Sequence, residues 1–298
     1  MKILLTGAKG FLGKNINFYS PQLHILESLG RSASFEYTCD LSREVPKLRD
    51  DFDVLIHAAG KAHQIPKNEE QTQEFYKVNV QGTANLLNAI ESPRPPRSFI
   101  FISTVAVYGL NQGNLITEDA PLLANDPYGH SKIQAEQLVQ EWCKKHEVIC
   151  TILRLPLVVG SNPPGNLGAM IKGIQKGYYF NIDGGKARKS MVLAEDIAKY
   201  ILKAGDVGGI YNLTDGYHPN FEELSQLIAK QSGKDKVLNI PYLPAKIAAI
   251  IGDLAGKFAP LNTEKLNKIT STLTFDDSKA RTAFGWNPIP VLEGFKIN

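Results

Sequence analysis

Tyr128 and Lys132 stand four residues apart in "DPYGHSK", a spacing that turns both side chains to one face of a helix. Asp126 suits the capping position of that helix, and Pro127 suits its first turn. A free phenol has a pKa of about 10 and is a poor proton carrier at neutral pH. A lysine ammonium held close favours the phenolate and draws that value down. A tyrosine so tuned can give a proton to a substrate oxygen or take one away. The same spacing also suits an ordinary surface pair, so the surrounding residues must decide.

Two further groups support the chemical reading. "FISTVAVYG" ends an apolar run with the hydroxyls of Ser103 and Thr104, at the sheet edge where open α/β folds bind ligands. "LLTGAKGFLG" sets Gly7, Gly10 and Gly13 at Gly-x-x-Gly-x-x-Gly spacing after the first apolar run, with Lys9, Phe11 and Leu12 between and beside them. Glycines there permit a tight turn, a close approach of backbone to a pyrophosphate, and a helix whose first amides face the anion.

An acid about 20 residues beyond such glycines ordinarily binds the adenosine ribose. Here the second strand ends at "SLGRS" with Gly30 and Arg31, and Glu27 falls inside the strand. Arg31, with Lys9, suits a 2′-phosphate and favours NADP(H) over NAD(H). Asp40, followed by Leu41, is placed to bond the adenine amino group or to cap the next turn. The small residues Ala58, Ala59 and Gly60 allow a cofactor to pass close, or simply pack tightly.

The elements that must hold these residues alternate. "KILLTG", "LHILESL", "FEYTCDL", "DVLIHAAG", "SFIFISTVAVYG" and "VICTILRLPLVVG" read as buried strands. "EFYKVNVQGTANLLNAIE" and "YGHSKIQAEQLVQEWCKKH" have helical periodicity. The alternation predicts an α/β fold, a doubly wound parallel Rossmann sheet with a smaller, partly interleaved C-terminal substrate domain. The expected division is 1–163 plus 190–217 for the dinucleotide and 164–189 plus 218–298 for the substrate. "YYFNIDGGKARKS" reads as a loop and "AKIAAIIGDLAG" as a buried helix, too short to span a bilayer.

The 298 residues carry a net charge of +3 and 43% hydrophobic residues, and no basic arm marks a nucleic-acid partner. Three cysteines without CxxC spacing argue against a disulfide framework or zinc, so no metal is expected. "MKILLTGAKG" enters a strand without a signal-peptide pattern. A cytoplasmic protein without a membrane partner is expected.

Taken in order, "TGAKGFLG", "DL" at Asp40–Leu41, "HAAG", "NVQGT", "STVAVYG", "YGHSK", "RLPLVVG", "GNLG" and "RKSMVLAEDIA" resemble the extended short-chain dehydrogenase/reductase family, in its NAD(P)-dependent epimerase/dehydratase branch. The resemblance covers essentially the whole chain. It implies a nucleotide-sugar substrate and, in many members, a dimer built through a four-helix bundle. By position it makes Thr104 the catalytic hydroxyl, Tyr128 the acid/base, and Lys132 the tyrosine's partner, which also binds the nicotinamide ribose. Asn166 and Arg188 match residues near the sugar diphosphate, and Asn79 helps position the region or ties backbone together.

Sugar 4,6-dehydratases have an Asp-Glu pair where this chain has Val105 and Ala106, which cannot move protons. Leu157 replaces an asparagine of some 4-epimerases. "AAGKAHQIP" resembles a bacterial subgroup acting on UDP-N-acetylhexosamine derivatives, and offers Lys61 and His63 as sugar contacts or as solvated loop residues. These features imply hydride transfer at C4 of a UDP-sugar. An NADPH-dependent 4-keto-6-deoxy-sugar reductase is expected first, a 4-epimerase retaining NAD is the alternative, and a dinucleotide sensor without catalysis is a remote third.

Overall fold

The computed structural model describes residues 1–19, 24–62, 64–92, 94–254 and 261–297. Among these residues one sheet dominates. It consists of β1 (Lys2–Thr6), β2 (Ile25–Gly30), β3 (Tyr37–Thr38), β4 (Val54–His57), β5 (Ser98–Thr104), β6 (Ile149–Leu155) and β7 (Gly209–Asn212). The seven strands are parallel and run in the order β7-β6-β5-β4-β1-β2-β3. The order reverses between β1 and β4, which opens a crevice at the carboxyl edge of those strands.

The apolar runs form strands because both sheet faces are covered. Ile3, Leu5, Ile56, Ile100 and Leu153 pack on one face, against α1 (Phe11–Tyr19) and the later helix Ala194–Val207. Their neighbours Leu4, Leu55, Phe99, Phe101 and Ile152 pack on the other. That second face is covered by a long composite helix and by Pro127–Lys145. The composite runs as α2 (Glu69–Tyr76), a π-helical turn at Lys77–Gln81, and α3 (Gly82–Ala89). Pro127–Lys145 is α4, α5 is Gly165–Lys176, and Ala194–Val207 is α6.

Three strand and loop expectations change. "SFIFISTVAVYG" is strand only to Thr104; Val105–Tyr108 forms one 3₁₀ turn, closed by Gly109 at φ 66°. "VICTILRLPLVVG" divides at Pro156, which has no N–H to give a ladder. Its second part, Leu157–Val159, pairs instead with Met191–Leu193. "YYFNIDGGKARKS" is not all loop, because Phe180–Ile182 pairs with Leu238–Ile240.

A second core joins Leu167, Met170 and Ile174 of α5 to Leu224 and Ile228 of α7 (Phe221–Gln231) and to Val291 and Phe295 near the C-terminus. Asn220 and Glu223 form a reciprocal capping box at the start of α7. Beyond it lie α8 (Tyr242–Leu254) and α9 (Thr263–Thr270), joined through Ala245, Ala249 and Leu266. The expectation that α8 is buried fails. Its inward residues are small, and its large aliphatic side chains face out.

Candidate active site

The glycine turn is as tight as its spacing implies. Gly7 lies at φ +76°, and a Cβ there would come within 2.7 Å of the Ala58–Ala59 backbone. A Cβ on Gly13 would meet the Gly7 carbonyl oxygen at 2.1 Å. Gly10 N–H donates to that same oxygen at 2.8 Å, and α1 begins at Phe11. The first amides of α1 therefore open at the tip of β1, beside Ala58 and Ala59, a cradle whose shape fits a pyrophosphate. Leu12 packs into the core below, and the Phe11 ring lies against Gly160.

The neighbouring corner is basic and rich in hydroxyls. Lys9 Nζ donates to Ser34 Oγ at 2.6 Å and lies 4.7 Å from the centroid of the Phe35 ring. Ser34 and Ser32 hydroxyls are 3.0 Å apart, in the loop that begins with exposed Arg31. Ser32 and Ser34 were invisible as site candidates in sequence; only folding brings them to Lys9. Glu27 is excluded, because Lys2, at the amino end of β1, holds its carboxylate at 3.0 Å. Asp40 accepts from Ser42 N and Oγ at 3.1 and 2.7 Å. Burial pushes its carboxyl up, but the Ser42 bonds with Arg31 and Arg43 leave it below its ordinary value. The Leu41 carbonyl accepts from Asn85 Nδ2 at 2.7 Å.

Beneath the crevice runs a buried polar chain. Ala59 N–H donates to Thr6 Oγ1 at 3.1 Å, and Thr6 Oγ1 lies 2.6 Å from His57 Nδ1. His57 Nε2 lies 3.0 Å from Thr83 Oγ1, which itself donates to the Asn79 carbonyl. His57 Nε2 therefore carries the hydrogen, and Nδ1 accepts from Thr6. Burial, with Lys132 adding to it, depresses His57 to about 3, so the ring is neutral. Asn79, in the π-helical turn, accepts from Lys61 N at 2.8 Å and donates to Lys61 O and Ser131 Oγ at 3.1 and 2.9 Å. It ties the loop after β4 to α4. The sequence left that role open.

The strand pleat separates the two hydroxyls at the end of β5. Ser103 Oγ turns down to buried Glu136, whose carboxylate also holds Arg154 Nη2 at 2.8 Å. Thr104 faces the other way, caps the 3₁₀ turn through Ala106 N at 3.2 Å, and lies beside Tyr128. Asp126 Oδ1 accepts from Tyr128 N and Gly129 N at 3.1 and 3.0 Å, as the sequence suggested. Gly129 lets α4 start directly against Ala106 and Ala124. Sequence reading passed over it.

The expected charge relation between Tyr128 and Lys132 is corrected. Lys132 Nζ donates to the Ile102 carbonyl at 2.7 Å and lies 3.9 Å from the Phe101 ring centroid. Burial brings its amine down to about 7, against an opposing effect of Glu136. Burial pushes the Tyr128 phenol up; the Thr104 side chain offsets part of this and Asp126 adds to it. Among the protein's own groups, Thr104 rather than Lys132 favours the phenolate. Lys132 is nonetheless rooted at the carboxyl end of β5, one helical turn from Tyr128.

The substrate candidates are scattered. Lys61 forms an ion pair with Glu74 beside the Phe75 ring, which lies 6.2 Å from Tyr128 between centroids. His63 lies outside the described residues. Asn166 is exposed in the first turn of α5. Arg188 donates to the His218 carbonyl at 2.9 Å, with Glu223 at 3.8 Å and the Tyr217 ring centroid at 5.6 Å. Beside it, half-buried Lys189 is lowered to about 8 by burial, a cation that sequence reading missed.

Residues 3–214 match the NAD dependent epimerase/dehydratase family. Over 98% of this chain and 92% of the relative, 29% of residues are identical to an N-acetyl-alpha-D-glucosaminyl-diphospho-ditrans,octacis-undecaprenol 4-epimerase of Escherichia coli O157:H7. A UDP-glucose 4-epimerase of Vibrio cholerae is 28% identical over 99% of this chain and 93% of its own. Among solved structures, the UDP-glucose 4-epimerase of Thermotoga maritima, determined with UDP-glucose, superposes with a TM-score of 0.75. That pair is 20% identical, covering 99% of this chain and 96% of that one, and shares the fold.

Proposed function

Because this chain belongs to the NAD dependent epimerase/dehydratase family, NAD(P)-dependent enzymes of nucleotide-sugar chemistry, we propose that it transfers hydride at C4 of a diphosphate-linked hexose as a 4-epimerase. The observation that carries this reading is the placement of Tyr128, at the start of α4 where it packs against Ala106, beside Thr104 at the carboxyl edge of the sheet, on the crevice that the glycine cradle also borders. Val105 and Ala106 supply no acid or base for eliminating water. The likeness to two 4-epimerases over nearly the whole chain supports the same choice.

Gly7, Gly10 and Gly13 hold the pyrophosphate, with Phe11 and Leu12 opening the helix. Asp40 and Leu41 lie by the adenine, and Ala58, Ala59 and Gly60 border the nicotinamide half. When bound, the nicotinamide supplies a two-electron hydride acceptor and donor. Thr104 orients the C4 oxygen, and Tyr128 takes its proton and later returns it. Lys132 binds the ribose, one helical turn from the phenol. Arg188 and Asn166 engage the diphosphate from the second lobe, which we assign to 164–189 and 218–298, with the rest of the chain serving the dinucleotide. Lys61 reaches the sugar by exchanging Glu74 for a substrate oxygen. The carrier is UDP or, as the name of the E. coli relative supports, a polyprenol joined through diphosphate. A dimer paired through α2–α3 and α4, which pack side by side, completes the proposal.

A second reading draws on a separate observation. The Arg31, Ser32, Ser34 and Lys9 corner suits a 2′-phosphate, and a phenol raised by burial is in the proton-donating form. Both suit an NADPH-dependent reductase of a 4-keto sugar. One experiment separates the two. Purified protein is incubated with UDP-N-acetylglucosamine or UDP-glucose without added cofactor, products are read by NMR, and any retained dinucleotide is identified by mass. Appearance of the C4 epimer supports the epimerase. No epimer, together with NADPH consumption only on a 4-keto sugar nucleotide, establishes the reductase instead.

A further inference from the structure

Helix α8 is built inside out. Its buried positions are Ala245, Ala249 and Gly252, small residues that let it lie against Leu266 of α9. Its large aliphatics point to solvent: Leu243 is 70% exposed, Ile247 57%, Ile250 52%, Ile251 62% and Leu254 89%. Their spacing puts them in one stripe along the helix. Single exposed aliphatics are ordinary on a protein surface, but a continuous stripe marks a face that meets an apolar phase or partner.

Charge indicates which. Residues 230–270 hold seven lysines against three acids, so this segment carries more than the whole excess of a chain whose net charge is +3. An aliphatic stripe on a helix in a lysine-rich stretch of chain suits a helix lying in the headgroup plane of an anionic bilayer. The same lobe reaches the candidate diphosphate end of the site. Ile182 and Ile240 pack into the α8–α9 cluster, and Thr272, just beyond α9, accepts from the Arg188 backbone N–H at 3.2 Å.

We propose that the outer face of α8 docks the protein on an anionic membrane surface, presenting the site to a sugar whose diphosphate is carried by a membrane-anchored polyprenol. It departs from the sequence-based expectation of no membrane partner, and it rests on the C4 reading above for the identity of the substrate. No described helix is long and apolar enough to cross a bilayer.

The test is sedimentation of the full chain with vesicles of phosphatidylglycerol and phosphatidylethanolamine, alongside phosphatidylcholine vesicles. Binding to the anionic vesicles, weakened by added salt, is expected. The Ile247→Ser, Ile251→Ser, Leu254→Ser triple variant changes only exposed side chains. It should lose at least about tenfold in vesicle partitioning while keeping wild-type turnover of a soluble UDP-sugar. Soluble turnover without vesicle binding overturns the docking and leaves the C4 reading intact. Vesicle binding without turnover of any C4 substrate overturns the C4 reading and leaves the docking. Light scattering supplies the remaining arm. A dimer that the triple variant converts to monomer shows that a second copy covers this face, and the proposal falls; so does vesicle binding that the triple variant leaves unchanged.

Discussion

Gly129→Ala isolates the positioning of Tyr128 from every direct contact with substrate. A Cβ at residue 129 would stand 2.5 Å from Ala124 Cβ and 2.9 Å from both the Ala106 carbonyl oxygen and Asp126 Oδ2. Ordinary carbon contacts begin at about 3.5 Å, so the start of α4 must retreat by about 1 Å. Tyr128 is the preceding residue, and its side chain lies beside Thr104. A displacement of about 1 Å at a reacting group costs on the order of 100-fold in rate. Overpacking costs about 1–3 kcal/mol, and replacing a helical glycine by alanine returns up to about 1 kcal/mol, so the folded protein should persist. The assay is kcat on the sugar substrate, with dinucleotide affinity by fluorescence and Tm measured on the same preparation. The expected pattern is a kcat loss of about two orders of magnitude, with near-wild-type dinucleotide affinity and a modestly lower Tm. Wild-type kcat in the variant would show that the helix start does not set the position of the phenol, and the positioning argument would have to be abandoned.

Tyr128→Phe should cost about 10²–10⁴-fold in kcat with dinucleotide affinity unchanged; turnover near wild type moves the acid/base elsewhere. Arg31→Ala should weaken NADPH more than NADH, and titrations showing equal loss for both cofactors remove the 2′-phosphate argument. His57, at about 3 in the folded protein and about 6.5 unfolded, binds more protons unfolded between those values. Its contribution is therefore complete above about pH 6.5 and is lost as pH falls toward 3. A His57→Gln variant should show a shallower fall of Tm over that acid range, and an unchanged slope excludes His57 as a source. Glu136→Gln leaves Arg154 buried without its carboxylate partner and should destabilise the fold by about 3–5 kcal/mol, measured by urea unfolding; a loss below about 1 kcal/mol shows that the pair is solvated.

Much of the sheet was legible because its strands are buried on both faces. An unbroken run such as Val54–Ile56, or Phe99–Ile102, leaves little alternative once turns and helices punctuate it. Thr104 was separable from Ser103 by family position, and the structure adds the physical cause: the pleat turns Ser103 to Glu136 and leaves Thr104 on the side where α4 starts. What stayed hidden depends on partners distant in sequence. Ser34 meets Lys9 across 25 residues, and Asn79 meets Ser131 across 52. The partner assigned to Lys132 was misread for a related reason. Helical spacing places an amine on the correct face but does not say that the Ile102 carbonyl lies nearer its tip. In α8, hydrophobicity was taken for burial, although the alanines and the glycine, not the isoleucines, mark the inward side.

The last strand of the sheet has a consequence for how this chain is made. Gly209–Asn212 aligns along Thr151–Arg154, yet between these partners the chain leaves to make α5 and the strand Phe180–Ile182. A fragment ending near residue 163 would leave the β6 backbone as a raw, twist-compatible border ready to recruit strands from other molecules. On the ribosome, that border stays open until residue 212 emerges, after α5 and the strand Phe180–Ile182 have already been threaded out. The cores interlock as well: Ala280, Phe284 and Trp286 pack into the sheet core, and Val159, Met191 and Leu193 into the core of α5 and α7, so a piece cut near residue 163 is not expected to survive alone.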